Sequence, residues 1–299
     1  MNVPDGRPLQ HHRDAAFFTE AIAYTAARFG FVPALVEKDY FCSVVLAHLS
    51  KVSQQSLVFK GGTCLTKVHA GFYRLSEDLD FVIPIARDAR RVERSREIVP
   101  VRQALNNLFQ TIPEIQQQDA LTGANSSMQY IGTLSYESLV LKRRETIKIE
   151  ISLREPLLEP AVIHEAATMV VNPLSQQPLV PFVRFPCLSR QEAFAEKFRA
   201  AMTRREPAIR DYFDIDYAVK NGVIDPYDAS WVQMVREKIQ VQGHNAIDLS
   251  FQRLSVLRNQ VEPLLKPVLR IKEFQAFDLD RAFTVVADVA AKVACPQLG

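Results

Sequence analysis

Asp78 and Asp80 stand two residues apart in Ser76-Glu77-Asp78-Leu79-Asp80-Phe81. On a strand, residues i and i+2 share a face, so both carboxylates can reach the same one or two divalent cations. By itself such a pair is more often an exposed acidic loop. The upstream context alters that reading. A short apolar run from Ser56 to Lys60 ends in Gly61-Gly62, the sole adjacent glycines in a chain with only ten, and Thr63 to Ala70 then follows helical spacing. A Gly-Gly between strand and helix lets the backbone approach a ligand closely, and the helix start offers free N–H groups and a positive dipole end to phosphate. Alone, the glycine pair is more often a plain tight turn. Followed by Asp-x-Asp, it sets acidic metal ligands beside a phosphate cradle.

Two-metal phosphoryl or nucleotidyl transfer needs a third group, a ligand or base beside the attacking hydroxyl. In Thr146-Ile147-Lys148-Ile149-Glu150-Ile151-Ser152 the isoleucines fill one face and leave Glu150 on the other, although a half-exposed strand with a Lys/Glu face reads the same way. Further along, Phe194, Lys197, Phe198 and Ala201 fall at i, i+3, i+4 and i+7. Lys197 therefore lies in or beside an apolar stripe and needs an anionic partner, which a triphosphate, a carboxylate such as Asp211, or both can supply. Asp211 shares a face with Ile215 and Ala218, so it suits a buried ion pair as well as a direct catalytic role. Lys142, Arg143 and Arg144 next to the Glu150 strand, with Arg204 and Arg210, form either a phosphate-backbone track or a solvated mixed-charge face. Other apparent motifs fail: His12-Arg13-Asp14 lacks the rest of a kinase loop, His164-Glu165 lacks a second histidine, and there is no P-loop.

The elements that must position these groups are legible in outline. Asp14 caps a helix that ends at Gly30, and a second helix follows Pro33. Two buried strands, Ser56 to Lys60 and Leu79 to Pro84, bracket the Gly-Gly helix. After a charged stretch, VRQALNNLFQTI reads as helix, then QYIGTLSYE, LVLKRR and TIKIEIS alternate like strands. From Ser189 the pattern is helical. The expected class is α+β, a mixed sheet flanked by helices with a C-terminal helical lobe. The expected boundary is near Pro186 (domains 1–186 and 187–299), with FVRFP as connector.

Composition narrows the class. With 47% hydrophobic and 23% charged residues the chain is neither disordered nor fibrous, and a net charge of +2 does not announce a polyanion binder, so any such site is local. No stretch approaches the roughly 18 apolar residues of a membrane span and no apolar signal core opens the chain, so the expectation is a soluble, cytoplasmic protein with no membrane partner. Cys42, Cys64, Cys187 and Cys295 lie far apart, which suits free thiols rather than disulfides or zinc.

FKGGTCLTKVHAGFYRLSEDLDF, residues 59–81, resembles the signature of the AbiEii/AbiGii nucleotidyltransferase toxins, the MenT-like group of the DNA polymerase β-type superfamily. In that family an FKGGTxLxK-like motif is followed by an arginine and SxDhD (h apolar), matched by Phe59 to Lys67, Arg74, Ser76, Asp78 and Asp80; Cys64 stands where a small residue is expected. The later strand TIKIEIS, the helical AEKFRA and RDYFDI motifs (Lys197, Arg204, Arg210, Asp211) and EKDYF (Glu37 to Phe41) are similar to the family's too. The resemblance spans about residues 37–216. It implies transfer of NMP from an NTP to an acceptor hydroxyl, with NTP held between the lobes. Asp78, Asp80 and Glu150 would be ligands of two Mg²⁺ ions, and Gly61, Gly62, Thr63, Lys67, Ser76 and Lys197 would bind the nucleotide. Lys197 and Asp211 would join the three carboxylates in catalysis, and Lys142, Arg143, Arg144, Arg204 and Arg210 would meet RNA. It further implies a tRNA 3′ end as acceptor, blocked translation, a role in phage defence, and a cognate antitoxin. A nucleotidyltransferase that modifies a small molecule or protein, and a non-catalytic NTP- or RNA-binding protein, are the competing readings.

Overall fold

The computed structural model describes residues 9–52, 57–241 and 246–294. Ser56 and Cys295 lie outside them. The chain divides into two compact units, Met1–Leu157 with Ala161–Leu188, and Leu158–Pro160 with Ser189–Gly299.

The first unit opens with helices α1 (Ala15–Phe29) and α2 (Pro33–Val52). Asp14 caps α1 by accepting from the Phe17 N–H at 3.1 Å, and Gly30 ends it in the left-handed region at φ 74°. Asp14→Ala should cost about 1 kcal/mol, read as a lowered urea midpoint; an unchanged midpoint would show that the cap contributes nothing. The strands are β1 (Val58–Lys60), β2 (Leu79–Val82), β3 (Ile115–Ala124), β4 (Gln129–Glu137), β5 (Arg144–Ser152), β6 (Val162–Ala166) and β7 (Val183–Cys187). They form one mixed sheet in the order β3-β4-β5-β2-β1-β7-β6, in which β2 runs parallel to β5 and β1 parallel to β7. Helix α3 (Gly61–Cys64) continues into a wider turn at Leu65–His69; α4 (Arg91–Glu97) and α5 (Val99–Thr111) precede β3. One apolar face of the sheet carries Phe59, Phe81 and Phe185, whose ring centroids lie 5.5 to 6.1 Å apart.

Two sequence expectations give way here. FVRFP is a core strand, not a connector: β7 pairs with β6 along its length, and Val183, Phe185 and Cys187 are buried. LVLKRR is largely a turn rather than a strand. The buried Glu37 carboxylate of α2 accepts from the Leu139 N–H at 2.7 Å and from the Ser138 hydroxyl, and Lys142 takes a left-handed φ of 54°, so pairing resumes only at Arg144. β3 escapes sequence reading because Gln116, Gln117 and Asp119 are exposed on a sheet edge and two register shifts break its alternation.

The second unit is helical: α6 (Arg190–Thr203), α7 (Ile209–Lys220), α8 (Ala229–Ile239), α9 (Phe251–Gln260), α10 (Ile271–Ala276) and α11 (Leu279–Ala294). Ser189 caps α6, and Phe198 packs edge-on against Trp231 with centroids 4.8 Å apart. Glu192, fully buried, accepts from the N–H groups of Leu158 and Glu159 and pairs with Lys238 at 2.6 Å, which ties 158–160 to this unit. Among the described residues no helix is long and apolar enough to cross a membrane, and Cys42, Cys64 and Cys187 are buried free thiols.

Candidate active site

Sheet register assembles the acidic cluster. Asp80 lies opposite Glu150 on the parallel β2–β5 pair and opposite Lys60 on the antiparallel β1–β2 pair. Lys60, Asp80 and Glu150 therefore form a row across three neighbouring strands, on the face opposite the buried Leu79, Phe81, Ile149 and Ile151. Asp78 precedes β2 by one residue and is half-buried. Its carbonyl accepts from the Thr63 hydroxyl, which ties the strand entry to α3.

The glycine pair is a cradle in the literal steric sense. Gly61 has φ +74°, and a Cβ there would lie 2.1 Å from Asp80 Oδ2; a Cβ on Gly62 would lie 2.6 Å from Arg74 Nη2 and 2.9 Å from Ser76 Oγ. The Asp80 carboxylate thus packs directly on the Gly61 backbone, and Arg74 and Ser76 close over Gly62. Gly61→Ala should cost well over 1 kcal/mol, since it adds a strained φ to a clash with the Asp80 carboxylate. Both the urea midpoint and transfer activity should fall; retention of both would refute the close packing.

Glu150 is held from two sides. Lys148 Nζ meets Oε2 at 2.8 Å and Gln129 Nε2 donates to Oε1 at 2.6 Å. Burial pushes its carboxyl up, but the Lys148 and Gln129 contacts outweigh it and hold the group below the usual carboxylate range. For Lys148 burial pulls the other way, and the charges of Glu150, Asp78 and Asp80 keep its ammonium above the usual range. Lys148, on the Lys/Glu face of this strand, therefore serves the carboxylates.

Several expected contacts are made elsewhere. Lys67, expected at the nucleotide, is turned inward: its side chain is 0% exposed, with Nζ 2.6 Å from Asp39 Oδ1, 2.9 Å from Ser43 Oγ and 3.4 Å from the Ala167 carbonyl. Burial in the α2 interface directs it inward. Thr63, equally buried, gives its hydroxyl to the Asp78 carbonyl rather than to a ligand. Arg143 pairs with Glu145 at 2.7 Å and Arg144 with Glu137 at 3.0 Å, while Lys142 is exposed.

In the second unit, Lys197 Nζ lies 2.7 Å from Asp211 Oδ1 and 3.0 Å from Asp214 Oδ2, and Arg204 Nη1 lies 3.1 Å from Asp211 Oδ2. Burial pushes the Asp211 carboxyl up, and Lys197 with Arg204 overcomes this to leave it below the usual aspartate range. Arg210 Nε donates to the Leu264 carbonyl at 3.4 Å. Asp214 escaped the sequence reading as a partner, although its spacing of i+3 from Asp211 on α7 was an available signal. Lys60 and Gln129 were also missed, although each stands at the end of a strand whose alternation was legible.

The residue types suit a hard divalent cation. Asp78, Asp80 and Glu150 offer carboxylate oxygens, but no group of three or more ligands converges on one point among the described residues. Mg²⁺ commonly takes one or two carboxylates and completes its shell with substrate phosphates and water, and the Asp78/Asp80 pair beside the Gly61 backbone fits that mode.

Residues 44–285 match the family described as "Nucleotidyl transferase AbiEii toxin, Type IV TA system". The chain belongs to the AbiEii nucleotidyltransferase toxin family. Among solved structures it is similar to MenT4, a nucleotidyltransferase toxin of Mycobacterium tuberculosis, with a TM-score of 0.57 and 18% identity over 92% of this chain and 94% of that one. JHP933 from Helicobacter pylori gives a TM-score of 0.52 and 16% identity over 88% and 93% of the two chains. At these identities the similarity concerns the fold. No curated protein sequence matches the chain. As an AbiEii protein it is a nucleotidyltransferase of a toxin–antitoxin system, with a cognate antitoxin implied.

Proposed function

We propose that this AbiEii protein transfers NMP from an NTP to the 3′ end of tRNA with release of pyrophosphate, and that the loss of usable tRNA blocks translation, in the manner of phage defence. The observation that carries the reading is the register of Asp80 against Glu150 on adjacent strands, with the Asp80 carboxylate seated on the Gly61 backbone. Asp78 and Asp80 would hold Mg²⁺ together with the triphosphate, and Glu150 would complete the ligand set. When bound, Mg²⁺ neutralises charge on the phosphates and on the leaving pyrophosphate. Gly61 and Gly62 present backbone to the phosphates, and Ser76 offers a hydroxyl beside them. Glu150, in register with Asp80, would help deprotonate the attacking ribose hydroxyl. In the second unit Arg204, whose side chain is half-exposed, would meet RNA phosphates, and its pairing with Asp211 holds it in place.

The test is incubation of the purified protein with total tRNA, Mg²⁺ and each α-³²P-labelled NTP in turn. Label on tRNA that is abolished by EDTA supports the reading and identifies the nucleotide. Label on a protein or small molecule with tRNA untouched would replace the acceptor, and nucleotide binding without any pyrophosphate release would sink the transferase reading.

A further inference from the structure

The open face of β5 carries Lys148, Glu150 and Ser152, and Arg154 follows two residues later. Arg154 is the second cation of this stripe, yet it does not reach Glu150 directly. Gln129, opposite Ser152 on β4, stands between them. Arg154 Nη2 donates to Gln129 Oε1 at 3.1 Å, and Gln129 Nε2 donates to Glu150 Oε1 at 2.6 Å. A guanidinium has donors only, so it turns the Gln129 carbonyl toward itself and leaves the NH₂ for the carboxylate. The amide thus passes on direction without passing on charge. An arginine in direct contact would form a bidentate pair with Glu150 and occupy the lone pairs that a proton or cation needs. Arg154 Nε is buried and finds no hydrogen-bond partner among the described residues. A buried donor left unpaired is a cost, and it calls for a reason that Arg154 stays where it is.

We propose that Gln129, oriented by Arg154, is a positioning residue for Glu150: it fixes one carboxylate oxygen and leaves the charge of the group to be balanced by Lys148. This rests on the catalytic place given to Glu150 above.

Gln129→Glu keeps the shape and the acceptor for Arg154 but turns the donor toward Glu150 into a second carboxylate oxygen. Gln129→Met keeps the length and removes both hydrogen bonds. Each should lower kcat for nucleotidyl transfer by about tenfold or more, a size typical of groups that orient a ligand, with KM for the NTP changed less than about twofold. Arg154→Met should give a smaller fall, and joining it to Gln129→Met should add nothing. With ¹³Cδ-labelled glutamate, the Glu150 carboxyl resonance, assigned by its absence in Glu150→Gln, should shift in both Gln129 variants of the full chain. A wild-type kcat and an unmoved resonance in both variants would overturn the proposal. Glu150→Gln with wild-type activity would overturn the catalytic reading of Glu150 and this inference with it, whereas an inactive Glu150→Gln beside fully active Gln129 variants would overturn the inference alone.

Discussion

Asp80→Asn is expected to lower nucleotidyl transfer by a few hundredfold to about a thousandfold, while the protein keeps its fold. The substitution is nearly isosteric, so the side chain still packs on Gly61, where Asp80 Oδ2 lies 2.1 Å from the position a Cβ would take. What is lost is one negative charge at the centre of the row that Lys60, Asp80 and Glu150 make across β1, β2 and β5. A carboxylate that shares a cation with the phosphates acts on charge developing in the transition state, and groups of that kind are worth roughly 3 to 4 kcal/mol each when removed. Asp78 and Glu150 do not replace it, because neither stands at the position that Asp80 holds in register between Lys60 and Glu150. The measurement is pyrophosphate release beside label transfer, with circular dichroism and the urea midpoint as controls. Activity within about threefold of wild type would remove Asp80 from the chemistry.

Lys67→Ala is expected to have the opposite profile, a large loss of stability. Its ammonium and the Asp39 carboxylate are both essentially inaccessible, at 0% and 2% side-chain exposure, and 2.6 Å apart. Deleting one partner of such a pair leaves an uncompensated buried charge and typically costs about 3 to 5 kcal/mol. The same reasoning predicts that the double variant Lys67→Met/Asp39→Leu recovers much of the loss, because apolar replacement of both partners is often neutral. The urea midpoints of the single and double variants decide the matter. A phosphate-binding Lys67 would instead show an unchanged midpoint and a raised KM for the NTP, the outcome expected from motif resemblance alone.

The difference between these two residues is also the difference between what was and was not legible in the chain. Asp80 and Glu150 lie on strands, and Asp78 one residue before β2, where alternation assigns each side chain to a face without reference to anything distant. Lys67 lies on a single turn of helix and Lys197 on a longer helix, and there the spacing says only that each leans inward. For Lys197 the inward partners proved to be Asp211, the carboxylate the sequence offered, and Asp214, which the sequence reading did not single out. The EKDY segment shows the limit clearly. Glu37 holds the 138–143 turn, Lys38 pairs with Glu77 at 3.2 Å, Asp39 holds Lys67, and Tyr40 meets His12 Nδ1 at 2.9 Å. All four make tertiary contacts, none of them within reach of periodicity.

The amino-acid sequence by itself determined the local devices: the Asp14 to Gly30 helix, the Gly-Gly turn, the acidic and apolar faces of the central strands, and a family signature in the right order. Only the tertiary structure decided that β2 runs parallel to β5 so that Asp80 meets a glutamate seventy residues away, that FVRFP completes the sheet, and that Gln129 stands between Arg154 and Glu150. Capping, turn chemistry and face alternation depend on neighbours a few residues apart. Strand order, register and the partner of a buried charge depend on how distant segments share one core, which no local spacing encodes.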